Sequence, residues 1–138
     1  MTRTRKVEGG PATVVQIVGY DVPPAGTLGD VVTPEANTIA EITYPRPGVN
    51  CYHSFSGLAW SYDGQLAGGN LQMIDENLGI IFDIDITNQG PGFIPFPVPR
   101  HGSLNATMTI RLAAGGIGVS GKLNVLTHWI ESIRSLFG

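Results

Sequence analysis

The sequence is poor in cysteine and in charge. Cys51 is the one cysteine, so no disulfide can form within the chain, and an oxidising compartment is not implied. Charged residues make up 14% of the 138 residues, and the formal net charge of -3 gives no general attraction to nucleic acid. No apolar run approaches the ~18 residues that a membrane-spanning helix needs. A polar stretch at residues 8–11 follows the basic start, so no signal peptide is indicated, and we expect a soluble protein made without export.

Motifs for catalysis or metal binding are also missing. The three histidines, His53, His101 and His128, are scattered along the chain and accompany no Gly-x-Ser-x-Gly or cysteine-nucleophile signature. Asp83 and Asp85 could offer oxygen ligands to calcium. However, no Asp-x-Asp-x-Asp-Gly loop surrounds them, and alternate acids on a strand usually form a solvated face. We therefore predict no catalytic residue, no cofactor and no bound metal.

Glycine is abundant instead, with 19 residues, and there are 10 prolines. This composition suits short strands joined by many tight turns. A chain of this length buries roughly 70% of its unfolded surface as one domain. Strands are expected at residues 13–20, 27–32, 38–44, 51–62, 71–74, 80–87, 104–112 and 119–126. The predicted fold is therefore all-β, an antiparallel β-sandwich or jelly roll.

The unit from residue 79 to 112 is the clearest part of this pattern. Phe82, Ile84 and Ile86 alternate with polar residues, so we expect them to face a core. Residues 104–112 alternate in the same way, with the apolar side chains on one face. Two strands of one sandwich are therefore predicted here.

A proline-rich segment, residues 90–102, connects these two strands. Its prolines lack the N–H that a ladder needs, so the segment is predicted to be a rigid loop, neither helix nor central strand. It nevertheless carries apolar side chains that need burial: Phe93, Ile94, Phe96 and Val98. Folding over the end of its own sandwich and contacting a partner both remain open.

The two ends differ from the sandwich, which is predicted to span residues 13–126. Residues 1–12 are predicted to be an extended arm with three basic residues, Arg3, Arg5 and Lys6, which either lie on an acidic surface or are solvated. Residues 127–138 are predicted to form a short helix. Thr127 can cap it, and Trp129, Ile133 and Phe137 fall at helical spacing. This apolar tail would dock on its own sheet or on a neighbouring subunit.

Several runs of the sequence carry a resemblance to a known group of proteins. They are Ser56-Gly57-Leu58-Ala59-Trp60-Ser61-Tyr62, Gly68-Gly69-Asn70-Leu71, Phe82-Asp83-Ile84-Asp85-Ile86-Thr87, Gly90-Pro91-Gly92-Phe93-Ile94-Pro95-Phe96, Leu112-Ala113-Ala114-Gly115-Gly116 and Gly121-Lys122-Leu123-Asn124-Val125. In these runs, over about residues 36–126, the chain resembles small virion structural proteins encoded in tailed-bacteriophage genomes. The matching motifs are structural, and none of them carries a catalytic residue.

The resemblance implies a β-sandwich subunit that binds the outside of the major capsid protein shell as a decoration or cement protein. Such a subunit would assemble in the host cytoplasm, act as a homotrimer, and contact neither nucleic acid nor membrane. The arm, the tail and the apolar segment are the expected contacts with the shell and with other subunits. The alternative is an adhesin of a tail or fibre, or a carbohydrate-binding sandwich. In that case aromatic side chains would line a sugar or peptide site, although Trp60 also suits a core position: Tyr52, Trp60 and Tyr62 on one strand, and Phe93 and Phe96 on the loop.

Overall fold

A computed structural model describes residues 4–7, 13–17, 30–64, 68–87 and 91–133. Within these ranges the chain forms strands, turns and bends, and no helix, so the all-β prediction is confirmed. No helix that could cross a membrane is present in the described part of the chain. The strands are β1 (Thr4–Val7), β2 (Thr13–Ile17), β3 (Asp30–Val32), β4 (Ile39–Tyr44), β5 (Cys51–Tyr62), β6 (Asn70–Asp75), β7 (Gly79–Asp85), β8 (Gly92–His101), β9 (Met108–Leu112), β10 (Gly121–Val125) and β11 (His128–Ser132).

The strands form two sheets. The first sheet has the order β1-β2-β4-β9-β6-β7, and its pairs are antiparallel except β2 with β4. In the second sheet β3 pairs with β10, β10 with β5, and β5 with β8, all antiparallel, and β11 also pairs with β5. The pairing from β3 onward is nested: β3 with β10, β4 with β9, β5 with β8 and β6 with β7. The strands from β3 to β10 thus follow one long hairpin with its tip at the β6–β7 turn. The hairpin is folded so that most of its successive strands lie in different sheets.

One hydrophobic core lies between the sheets and follows the alternation in the sequence. The first sheet contributes buried residues of β4, β6 and β9, and the second sheet contributes buried residues of β3, β5 and β10. Ile86 is fully buried, whereas Phe82 and Ile84 pack at the margin of the core. Leu104 departs from the expected pattern and is exposed, because Asn105 has a positive φ of 50° in the turn that precedes β9.

The proline-rich segment is a strand rather than the predicted loop. β8 lies at an edge and pairs with β5 alone among the described strands, so the exclusion of a central strand holds. Proline has no N–H to donate, so Gly57 and Pro95 must be a non-hydrogen-bonded pair of the antiparallel ladder. The hydrogen bonds are then formed by the neighbouring pair, Leu58 and Ile94. The nitrogen of Pro95 therefore points to the open edge, where its missing N–H costs nothing.

Past Pro95 the ladder between β8 and β5 is interrupted by a large bulge in β8. The register passes from Gly57–Pro95 to Phe55–Arg100, so a single residue of β5 lies opposite residues 96–99 of β8. The extra residues, which include two prolines, arch away from the ladder.

The predicted C-terminal helix is wrong over residues 128–132, which form β11. Residues 121–132 run along β5 in one unbroken register, because Leu126 and Thr127 also bond β5 through their backbones. A lone terminal helix would leave the edge of Cys51–Phe55 unpaired, and the aromatic and β-branched residues of β11 suit a strand. Phe137 lies outside the described residues, as does Arg3. Residues 4–7 of the predicted arm form β1 on β2.

A buried carboxylate closes the β6–β7 turn. Asp75 is 1% exposed, and it accepts hydrogen bonds from the backbone N–H groups of Asn77, Leu78 and Ser103 at 2.7, 3.1 and 2.6 Å. Burial alone would raise the pKa of Asp75, but the bonds from Ser103, Asn77 and Leu78 outweigh it and hold the pKa below its usual value. The hairpin tip is thereby tied to the chain that leaves β8.

Replacement of this carboxylate should be costly. We expect Asp75→Ala to lower the free energy of unfolding by about 3 kcal/mol, because three backbone N–H groups lose a charged, buried acceptor. Urea unfolding followed by circular dichroism measures this. The control is Asp83→Ala, which changes an exposed aspartate that accepts a surface hydrogen bond from the half-buried Asn70, and for which we expect a change within about 0.5 kcal/mol. Equal effects of the two substitutions would contradict the role of Asp75.

Candidate functional site

The outer faces of the two sheets differ in polarity. A row across the first sheet reads Glu41, Arg111, Gln72 and Asp83, and Glu41 is ion-paired with Arg111. The matching row across the second sheet reads Phe93, Ala59, Asn124 and Val31. On the described strands of the second sheet, the charged side chains of this outer face are Lys122 and Glu131. We call this surface the contact face.

The strand β8 forms an apolar ridge along the edge of the contact face. Phe93 is 61% exposed and Val98 in the bulge is 79% exposed, whereas Ile94 and Phe96 turn inward against the margin of the core. The bulge surrounds an open concavity of about 520 Å³ lined by residues 96–101. Exposed apolar patches of this kind mark interaction sites in proteins that are otherwise polar on the surface.

Arg100 braces the base of the bulge. Its guanidinium lies 5.2 Å from the ring centre of Phe82 and 5.5 Å from that of Phe96, which makes two cation–π contacts. The two rings also meet edge to face at 5.6 Å and so bridge the two sheets. The ridge is therefore mounted on a packed base, which favours a preformed surface.

At the other end of the contact face, four polar and aromatic side chains form the Glu131 cluster: Tyr52, His101, Trp129 and Glu131. The Tyr52 hydroxyl donates to Glu131 Oε2 at 2.6 Å, and Trp129 Nε1 donates to Glu131 Oε1 at 2.7 Å. The rings of Tyr52 and His101 are 4.8 Å apart. These hydrogen bonds from Tyr52 and Trp129, with nearby His101, lower the pKa of Glu131, while the bond to Glu131 raises the pKa of Tyr52.

The structure separates the predicted contact residues into groups. Phe93 and Trp129 share the contact face, and Ile133 follows β11 and is 51% exposed. Arg5 and Lys6 belong to β1, at the edge of the first sheet opposite β7. The basic residues and the apolar ridge therefore belong to different sheets.

The Glu131 cluster was missed from the sequence. Tyr52 and Glu131 are 79 residues apart, and the predicted helix would have placed Glu131 away from β5. Two of the scattered histidines, His53 and His128, also meet in the interior, at 2.8 Å. Only the pairing of β11 with β5 could have indicated either contact.

Among the described residues, no three His, Cys, Asp or Glu side chains are grouped so that they could share a metal ion. Trp60 is buried, as a core position requires, and Tyr62 packs partly buried against the core. Comparison of the chain with protein-family models, with curated proteins and with solved structures gave no match.

The Glu131 cluster makes a testable prediction about proton affinity. In Tyr52→Phe the pKa of Glu131 should rise towards its ordinary value, because the largest stabilising contact of its carboxylate is removed. A carboxyl-carbon NMR titration of labelled protein measures this pKa. Tyr62→Phe is the matched control, since the Tyr62 hydroxyl donates instead to the carbonyl of Ala113 at 2.6 Å. An unchanged Glu131 pKa in Tyr52→Phe would contradict the hydrogen bond.

Proposed function

We propose that this protein is a non-enzymatic structural subunit of a phage particle. It is a decoration or cement protein that binds the outside of the major capsid protein shell and stabilises it. The observation that carries this proposal is the contact face, nearly free of charge and bounded by the exposed Phe93 and Val98. The resemblance of residues 36–126 to phage virion proteins supplies the context.

We also propose that the fold is a jelly roll. The nested pairing of β3 to β6 with β10 to β7 supports this, because winding one long hairpin into two facing sheets produces that order. Jelly rolls build capsid and lectin domains, so the fold agrees with the proposed function and with its alternative, and it decides neither.

Binding proceeds through side chains rather than by strand addition. The nitrogen of Pro95 faces the open edge of β8 and offers no hydrogen to an added strand, and the bulge interrupts the edge further along. The ridge instead presents Phe93 and Val98, which meet neighbouring subunits around the axis of a homotrimer. Apolar contact on a rigid edge also loses little entropy on binding.

The two termini are further anchors in this proposal. Arg3, Arg5 and Lys6 contact acidic shell surface, a contribution that salt weakens. Phe137 adds an apolar contact. Because β11 is part of the sheet, removal of the whole tail from residue 127 would disturb the fold. A truncation that tests the tail as an anchor without disturbing β11 therefore removes residues 134–138 only.

The direct test is co-sedimentation of the purified protein with matching capsids that lack it, at low and high salt. We expect saturable binding at a fixed ratio to the major shell protein. Phe93→Asp should weaken binding about tenfold or more, because a charge replaces a side chain whose burial between subunits contributes roughly 2 kcal/mol, and the trimer is the form that binds the shell.

The matched control is Ile117→Asp, which changes the most exposed apolar side chain of the described residues, at 94%, in the turn between β9 and β10. This variant should bind like the unmodified protein. Absence of binding to capsids at any salt would overturn the decoration role. Light scattering measures the trimer separately.

The Glu131 cluster favours a second candidate function, carbohydrate binding by a tail or fibre adhesin. Partly exposed Tyr52 and Trp129 offer ring faces for a sugar, and Glu131 holds both rings in place. This candidate predicts hits on a glycan array and quenching of tryptophan fluorescence that Trp129→Phe abolishes. A silent array would exclude it.

A further inference from the structure

Two buried histidines meet where β11 lies on β5. His53 is 1% exposed and His128 is 4% exposed, and His53 Nδ1 lies 2.8 Å from His128 Nε2. His53 Nε2 lies 2.6 Å from the carbonyl oxygen of Pro45. The Tyr44 ring stacks on His128 at 4.0 Å, and the Phe55 ring is 5.3 Å away. The pair therefore sits among aromatic rings inside the core.

The hydrogen bonds fix the protonation of the pair. A carbonyl oxygen only accepts, so His53 Nε2 carries a hydrogen and donates to Pro45. A neutral imidazole has one N–H, so His53 Nδ1 accepts, and His128 Nε2 donates to it. Both rings are then neutral with these bonds satisfied. A first added proton can keep the bond but makes one ring a cation in the interior, which burial disfavours, and a second proton would place two N–H groups face to face and break the bond.

Other titratable groups face the pair from the surrounding strands. On the inner side, the Tyr44 hydroxyl of β4 donates to Asp30 Oδ2 of β3 at 2.8 Å, and Asp75 of β6 lies two strands from Tyr44 in the same sheet. On the outer side of the same strands lies the Glu131 cluster, with Tyr52, His101 and Glu131. Burial lowers the pKa of His53 to about 4, and burial with the proximity of His53 lowers the pKa of His128 to about 3.

The strand that carries His128 is held from one side only. Among the described strands, β11 pairs with β5 alone, through Cys51–Phe55. Its inner contact is the histidine pair, and its outer contact is the bonding of Trp129 and Glu131 with Tyr52. Loss of the inner contact would therefore free the strand that completes the cluster.

We propose that the His53–His128 pair is a proton-sensitive latch that seats β11 on β5, and that acid releases β11 and the Glu131 cluster before the rest of the sandwich unfolds. Water gives the released histidines their ordinary pKa near 6.5, above the values in the seated strand. The seated state is thus fully favoured above pH 6.5 and loses its advantage as pH falls towards 4. The latch depends on the fold and not on the proposed capsid role.

Hydrogen exchange of the unmodified protein between pH 7.5 and 4.5 tests the latch. After correction for the intrinsic rates, protection of residues 129–131 should fall by about 100-fold for each histidine that gains a proton. Protection in β4 and β9 should be retained at the same pH. Uniform protection down to pH 4.5, or simultaneous loss in all strands, would overturn the proposal.

Fluorescence and two variants separate the histidines. The emission of Trp129 should move to longer wavelength over the same pH range, and Trp129→Phe should remove that change, since Trp60 stays in the core. His128→Phe retains a ring against Tyr44 but removes both the bond to His53 and one of the two titrating rings, so protection of residues 129–131 should be lower at pH 7.5 and should then fall with acid by about 100-fold less than in the unmodified protein. His101→Phe alters the exposed histidine of the Glu131 cluster, so only the acid dependence of protection is compared, and this variant should leave it unchanged. Unchanged protection at pH 7.5 together with an unchanged acid dependence in His128→Phe would overturn the latch, and hydrogen exchange of the unmodified protein decides the matter if that variant does not fold.

Discussion

The pairing of β5 on both of its edges is the constraint on which the second sheet depends. One edge carries β8, and the other carries β10 and β11 in a single register. The neighbours crowd the strand most at Gly57, where an added Cβ would lie 2.8 Å from the carbonyl oxygen of Ile94 and 2.9 Å from Leu126 Cδ1. An added side chain would collide with the backbone of β8, so the close approach of the ridge to β5 depends on glycine at this position.

The parts of the fold that were predicted correctly are those set by local alternation. Leu58 and Trp60 face the core because a strand sends alternate side chains to opposite sides, whatever its partner is. The prediction of a helix in place of β11 was wrong for the opposite reason. Helical spacing over residues 128–137 is a local signal. The pairing of residues 128–132 with the edge of β5 overrides it, and no local pattern reveals that edge.

The proline-rich segment shows a different limit. Its prolines do exclude a central strand, but the edge position makes a missing N–H harmless, so a strand forms where a loop was expected. The expectation that its apolar residues are buried holds for two of the four, and contact with a partner stays a prediction. Ile94 and Phe96 are turned inward, and Phe93 and Val98 remain exposed. Strand alternation, unrecognised in the sequence, separates Phe93 from Ile94 and Phe96, and the bulge exposes Val98.

The two sides of β11 couple the interior to the surface. Its inner residue, His128, bonds a neutral partner in the core, and its outer residues, Trp129 and Glu131, complete a charged and aromatic cluster. Neither contact can form without the strand being seated, so each contributes to the stability of the other. The aromatic end of the contact face therefore exists only while the buried pair of histidines stays neutral. The ridge on β8 has no such condition, because its base is held by Arg100, Phe82 and Phe96 and includes neither histidine. At the β8 end the contact face therefore does not depend on the histidines, whereas the β11 end is lost when they gain protons.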